Sequence, residues 1–224
     1  MKAMILAAGR GKRMMPLTAE QPKPMLKVND RPLLDYHLSC LKAAGVTDVV
    51  INLAWCGDVI RAFCQQGQKW GLDIQYSPEP PEGLETAGGI IQALPLLGEE
   101  PFIVINGDVF TDYDAHSLIQ LQIDPGHAHL VLIENPEHNP SGDFSLSHGM
   151  VKSEGEVCHT FAGIAVYHPT FFTGLSAEFR PLAPLLREKM AHNQVTGELY
   201  LGQWVDVGTP ERLAQLDASQ RTLL

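Results

Sequence analysis

The stretch from Met4 to Pro24, Met-Ile-Leu-Ala-Ala-Gly-Arg-Gly-Lys-Arg-Met-Met-Pro-Leu-Thr-Ala-Glu-Gln-Pro-Lys-Pro, constrains this chain more than any other. An apolar strand from Met4 to Leu6 breaks into small residues, then meets Gly9 and Gly11 with the basic trio Arg10, Lys12 and Arg13. Glycine accepts positive φ and lets backbone N–H groups approach a ligand, so a strand followed by such a loop makes a nest for phosphate oxygens. Lys23 stands between Pro22 and Pro24, which fix the backbone and lower the entropic cost of aiming a long side chain.

Two familiar phosphate loops do not fit. The P-loop tripeptide Gly-Lys-Ser/Thr is absent, and the dinucleotide fingerprint needs a third glycine where Met14 stands. Asp30, moreover, precedes a helix instead of ending a second strand.

Downstream, the pattern predicts helices over 32–45 and 58–70, strands over 46–53 and 72–76, and a helix over 87–97 capped by Thr86. Further strands are expected over 102–105, 127–134, 144–151 as a hairpin about Ser147-His148-Gly149, 157–166, and 195–200 as an edge strand. Short helices are expected over 115–121, 169–174 and 184–192, with a final helix running from Thr209-Pro210 to Gln220. Strands alternating with helices imply a largely parallel sheet with ligands at the carboxyl ends of its strands. Asp108, just past an apolar strand and beside Gly107, occupies such a place. Gly88 and Gly89 weaken their helix by about 1 kcal/mol each relative to alanine. They serve either the close approach of a flat base or tight packing on a neighbour. Asp112 and Asp114 read as turn and cap, and His127 and His129 as strand residues lacking a third metal ligand.

A hydrophobic content of 45% with 19% charged residues is that of a globular protein with a substantial core. A net charge of −10 argues against nucleic acid or an anionic membrane as partner, so an anionic substrate would need local cations. No apolar run reaches membrane-spanning length, and no secretory leader is expected before the first strand. Cys40, Cys56, Cys64 and Cys158 show no paired or zinc-binding spacing, so reduced thiols in the cytoplasm are expected.

The run Leu-Ala-Ala-Gly-x-Gly-x-Arg, followed by Pro16-Leu-Thr and Pro22-Lys23-Pro24, resembles the signature of the sugar-1-phosphate nucleotidyltransferases. Gly107-Asp108 and Trp204-Val-Asp-Val-Gly-Thr carry the resemblance onward, so that it covers nearly the whole chain. The overall cadence is similar to the N-acetylmuramate 1-phosphate uridylyltransferases of bacterial cell-wall recycling. This resemblance implies an α/β fold: one Rossmann-like (GT-A-like) domain over 1–224, with a mixed, mostly parallel sheet, helices on both faces and a small β subregion for the sugar. About 1–135 would form the nucleotide half and 136–224 the sugar-phosphate half, with no β-helix extension.

The resemblance further implies nucleotide contacts from Leu6, Ala8, Gly9, Gly11, Lys12, Arg13, Lys23, Glu85, Thr86 and Gly88. Asn106, Gly142, Asp143 and Gly163 would face the sugar phosphate. Asp108 and Asp206 would hold Mg²⁺, two ions in all, with Lys23, Arg13 and Asp108 catalytic. The substrates would be UTP and a sugar 1-phosphate, in a monomer or small homo-oligomer. One departure is the segment Ser153-Glu-Gly-Glu-Val-Cys, which lacks the Glu-Lys-Pro lysine of many relatives, leaving Lys152 as a substitute cation. Another is Ala87, where close relatives carry glycine. The rivals are the same fold with another pair, glucose 1-phosphate with dTTP or mannose 1-phosphate with GTP, and a silent nucleotide-sugar sensor.

Overall fold

The computed structural model describes residues 1–222. In chain order the elements are β1 (Lys2–Leu6), β2 (Lys27–Val28), β3 (Arg31–Pro32), α1 (Leu33–Ala43), β4 (Asp48–Leu53) and α2 (Gly57–Cys64). Then follow β5 (Asp73–Pro78), α3 (Glu85–Leu97), β6 (Phe102–Asn106), β7 (Val109–Thr111), α4 (His116–Ile119) and β8 (Ala128–Ile133). The chain closes with β9 (Phe144–Ser147), β10 (Met150–Lys152), β11 (Cys158–Tyr167), α5 (Leu182–Ala191), β12 (Val195–Tyr200), β13 (Trp204–Asp206) and α6 (Pro210–Thr222).

A nine-stranded sheet of order β5-β4-β1-β6-β11-β8-β12-β10-β9 runs through both halves of the chain. Strands β5, β4, β1 and β6 are mutually parallel. β11 opposes both β6 and β8, while β12 runs parallel to β8. The carboxyl ends of β1, β4, β5, β6, β8 and β12 therefore share one rim. Alternation along buried strands feeds two faces. Ala3 and Ile5 of β1, with Ile103 and Ile105 of β6, join the core under α1 and α2. Met4, Phe102 and Val104 join the opposite core under α3 and α5.

A smaller third cluster positions the rim. Met14 and Leu26 from the first loop pack with Phe110, Val207 and Leu216, and so couple the glycine loop to the β7–β13 ribbon and to α6.

Four expectations need correction. The helix expected over 87–97 with Thr86 as its cap begins at Glu85, so Thr86 lies inside its first turn and no side chain caps it. The helix expected over 58–70 stops at Cys64, because Gln65 and Gly67 take positive φ and a separate turn forms at Gln68–Trp70. The strand over 195–200 is interior, not an edge, since the β9–β10 hairpin pairs onto it and extends the sheet. The helix near 115–121 is a single turn, His116–Ile119, where the His116 N–H donates to Asp114 Oδ1 at 2.9 Å.

Candidate active site

The loop after β1 opens into a cleft of about 540 Å³ lined by residues 6–12, Lys23, Asn106 and Asp108 on one side and by Glu79, residues 81–86 and Phe179 on the other. Gly11 sits at φ 63°, and a Cβ there would lie 2.9 Å from Lys23 Cγ. Glycine thus both permits the turn and leaves room for the lysine stem. Thr18 Oγ donates to the Gly11 carbonyl at 2.8 Å, and the Arg10 guanidinium lies 4.6 Å over the Trp55 ring. Among the described residues the N–H groups of Ala8 and Gly9 meet no protein acceptor, as a phosphate nest requires.

Lys23 Nζ donates to Asp108 Oδ2 at 2.8 Å, with the lysine side chain only 14% exposed. Asp206 pairs in register with Val109, and the N–H of Val207 donates to the Asp108 carbonyl at 2.8 Å. Asp108 thus lies in the turn just before β7, next to the β13 strand that carries Asp206. Asp206 Oδ1 accepts from Arg212 and lies 3.0 Å from His138 Nε2. Beneath the Asp108 turn, burial drives the His37 ring down to about 4 against a weaker opposing pull from Asp108. It is therefore neutral at physiological pH and leaves the charge balance to Lys23 and the aspartates.

A polar chain ties the rim together. Ala7 N–H donates to Asn52 Oδ1 at 2.6 Å, Asn52 Nδ2 donates to Glu79 Oε1 at 2.6 Å, and Leu84 N–H donates to Glu79 Oε2 at 2.9 Å. Burial raises the Glu79 carboxyl above its ordinary value, while these two hydrogen bonds work to lower it.

Residues 2–159 match the family model described as nucleotidyl transferase. The chain belongs to the nucleotidyl transferase family. This nucleotidyl transferase is 52% identical to the N-acetylmuramate alpha-1-phosphate uridylyltransferase of Neisseria meningitidis serogroup B, with 97% of each chain covered. It is 34% identical to the protein of the same name from Caulobacter vibrioides, covering 98% of this chain and 96% of that one. A mannose-1-phosphate guanyltransferase from Hypocrea jecorina is 30% identical over 94% of this chain and 62% of its own length. A crystal structure from Bacillus anthracis described as a glucose-1-phosphate thymidylyltransferase superposes with a TM-score of 0.85 at 20% identity, covering 98% of this chain and 95% of that one. That likeness bears on the fold: an α/β nucleotidyltransferase domain.

The sequence-predicted residues distribute unevenly. Leu6, Ala8, Gly9, Gly11, Lys12, Lys23, Glu85, Thr86, Asn106 and Asp108 all line the cleft. Arg13 is exposed on the Lys12–Met14 turn and is not among the lining residues. Asp206 lines an adjoining cavity of about 400 Å³ together with Pro136, His138, Trp204 and Arg212. Gly163 lies against Asn106, whose Nδ2 would be 2.4 Å from an added Cβ, at the bulge where β11 shifts register on β8. Gly142 faces the Cys158 carbonyl, and both Asp143 carboxylate oxygens accept from the protein, from Asn139 Nδ2 and Phe161 N–H. Asp143 therefore locks the loop against β11.

An added Cβ at Gly88 would come within 2.1 Å of the Glu178 carbonyl oxygen, so glycine there permits tight packing on a neighbouring segment, and Gly88 is not among the residues lining the cleft. Lys152 hydrogen-bonds Asn193 and lines neither cavity.

The sequence reading missed Asn52, Glu79, Phe179, His138 and Arg212. Phe179 is 64% exposed at the cleft. Its neighbour Arg180 is fixed at both ends: Arg180 N–H donates to the Leu84 carbonyl at 2.9 Å, and the Arg180 carbonyl accepts from Ala87 and Gly88. Neither the exposure of this ring nor the anchoring of Arg180 is legible in the sequence.

Proposed function

We propose that this enzyme transfers the uridylyl group of UTP to the phosphate of N-acetylmuramate 1-phosphate, giving UDP-N-acetylmuramate and pyrophosphate in peptidoglycan recycling. What supports the reading is the Lys23–Asp108 ion pair in the cleft beside the glycine loop, with Asp206 on the strand that pairs with the residue after Asp108, in a chain so similar along its length to uridylyltransferases of that name.

The attacking phosphate has a second pKa of about 6 and is mostly dianionic at neutral pH, so no protein nucleophile is needed. What the protein must supply is alignment and neutralisation of charge. The N–H groups of the Ala8–Gly11 turn and Lys12 bind the triphosphate. Lys23 lies over the α-phosphate and offsets the negative charge that develops there. The walls from Glu79 to Thr86, with the Phe179 ring, enclose the base, and Asn106 with Gly163 faces the sugar phosphate.

A divalent cation fits this donor set. Two hard carboxylates, one in the turn before β7 and one on the β13 strand paired with it, with no group of three or more acidic, His or Cys ligands among the described residues, suit Mg²⁺ completed by substrate phosphates. Asp108 and Asp206 would hold it. When bound it would supply charge to draw two anionic phosphates together, and a second ion would serve the leaving pyrophosphate. Lys23 and Arg212 pair with these two carboxylates.

Four free cysteines fit a cytoplasmic setting. Pyrophosphate release is the test, with UTP, dTTP and GTP each against N-acetylmuramate, N-acetylglucosamine, glucose and mannose 1-phosphates. Preference for UTP with the muramate ester is expected. Turnover with several hexose phosphates but none with that ester would remove the assignment.

A further inference from the structure

Asp206 is over-supplied with donors. The Arg212 guanidinium and the His138 ring converge on one of its oxygens, Oδ1, and Arg212 Nη1 also lies 2.9 Å from His138 Nε2. That ring nitrogen either donates to Asp206 or accepts from Arg212, and it cannot do both. Arg212 Nη1 and His138 Nε2 thus share one carboxylate oxygen with a capacity to serve another acid. Both side chains line the cavity of about 400 Å³ between the loop after β8 and the start of α6. This cavity opens at the same rim as the cleft, one residue pair along the β7–β13 ribbon from Asp108.

The other cations of the sugar half are committed elsewhere. Lys152 bonds Asn193, Arg180 pairs with Glu178, Arg187 and Lys189 lie over Phe144 and Phe171, and Arg221 pairs with Asp217. Arg212 is the Lys or Arg of residues 136–222 that lines a cavity. N-acetylmuramate differs from other N-acetylhexosamines by a lactyl ether ending in a carboxylate. That group needs a cation which the phosphate-binding loop, occupied with a triphosphate, cannot spare.

We infer that Arg212 and His138 form the subsite for the lactyl carboxylate of the sugar. The inference rests on the proposed substrate. Asp206 would hold a divalent cation, and Arg212 and His138, the donors that now meet its Oδ1, would serve the lactyl carboxylate. An arginine fork and a carboxylate form paired, charge-assisted hydrogen bonds, and a site built for such a group rejects sugars lacking it.

The experiment compares wild type with Arg212→Gln, Arg212→Lys and His138→Gln. It uses N-acetylmuramate 1-phosphate and N-acetylglucosamine 1-phosphate as alternative substrates. A second readout, independent of turnover, is calorimetric binding of UDP-N-acetylmuramate, its lactyl methyl ester and UDP-N-acetylglucosamine. Thermal unfolding verifies that each variant folds.

Arg212→Gln is expected to lower the muramate-to-glucosamine ratio of kcat/KM by roughly ten- to a hundred-fold, the range of a charge-assisted hydrogen bond. It should also abolish the difference between UDP-N-acetylmuramate and its methyl ester, with Arg212→Lys recovering part of both. Equal losses on both sugars would show that Arg212 serves only to position Asp206, and would overturn the inference while leaving the proposed reaction standing. Failure of wild type to use the muramate ester at all would remove the proposed reaction and this subsite with it.

Discussion

Val207 donates its backbone N–H to the carbonyl of Asp108 at 2.8 Å, so the two aspartates proposed as ligands move as one unit although 98 positions of sequence separate them. If they hold one ion, either carboxylate should matter to metal affinity. Asp108→Asn and Asp206→Asn should each raise the half-saturating Mg²⁺ concentration on the order of tenfold or more, at least the cost of losing an outer-shell partner. Metal titrations of pyrophosphate release test this, and unchanged curves in both variants would refute the assignment.

Lys23 is the cation already on Asp108, and its stem fills the space beside Gly11. Lys23→Met keeps that packing and removes only the charge. Turnover should fall by roughly 10²–10³-fold, as for removal of one preorganised donor at a developing charge, while the melting temperature stays near wild type. Single-turnover pyrophosphate release separates chemistry from product release. Equal turnover in the two proteins would contradict the role.

The base end of the cleft rests on Phe179. Stacking of a base on an aromatic ring contributes about 1–3 kcal/mol by alanine substitution. Phe179→Ala should therefore weaken UTP binding by roughly tenfold. Phe179→Tyr should retain it, and wild type should favour UTP over 5,6-dihydro-UTP, whose base is not flat. A preference for the flat base that survives in Phe179→Ala would place the base elsewhere. Gly88→Ala offers an indirect check, since its methyl group would push on the Glu178 backbone that carries the ring.

The strand–loop–strand frame was readable because buried parallel strands are short apolar runs, and the run from Phe102 ends at Asn106, two residues before Asp108. Lys23 and Asp108 were readable for the same local reason: each follows a strand or a proline-bounded turn. What escaped depends on distant partners. The interior place of β12 is decided by the β9–β10 hairpin, and the neighbour of Gly88 lies near Arg180, in a segment with no periodicity. Arg212 has no local signal, because its contacts with Asp206 and His138 exist only in the folded chain. Glycine signalled close approach in the sequence, but which atom approaches is a tertiary fact.

Asp35 lies in the first turn of α1 and is 7% exposed, yet it carries charge. Its Oδ1 accepts from Lys69 at 2.6 Å and from Trp70 Nε1 at 3.1 Å, and its Oδ2 accepts from Arg31. Burial works to raise its pKa, but the hydrogen bonds and charges of Lys69 and Arg31 outweigh it, and the folded value falls below 3.8. For a carboxyl lowered on folding, the stabilisation is fully present above the unfolded value and disappears as pH drops through the folded one. Asp35→Asn should thus cost about 1–3 kcal/mol at pH 7, less than a fully buried pair because Lys69 is largely exposed. The gap between wild type and variant in urea unfolding should narrow as pH falls from 5 toward 3. A gap of the same size at pH 7 and pH 3 would mean that shape, not charge, is what Asp35 contributes.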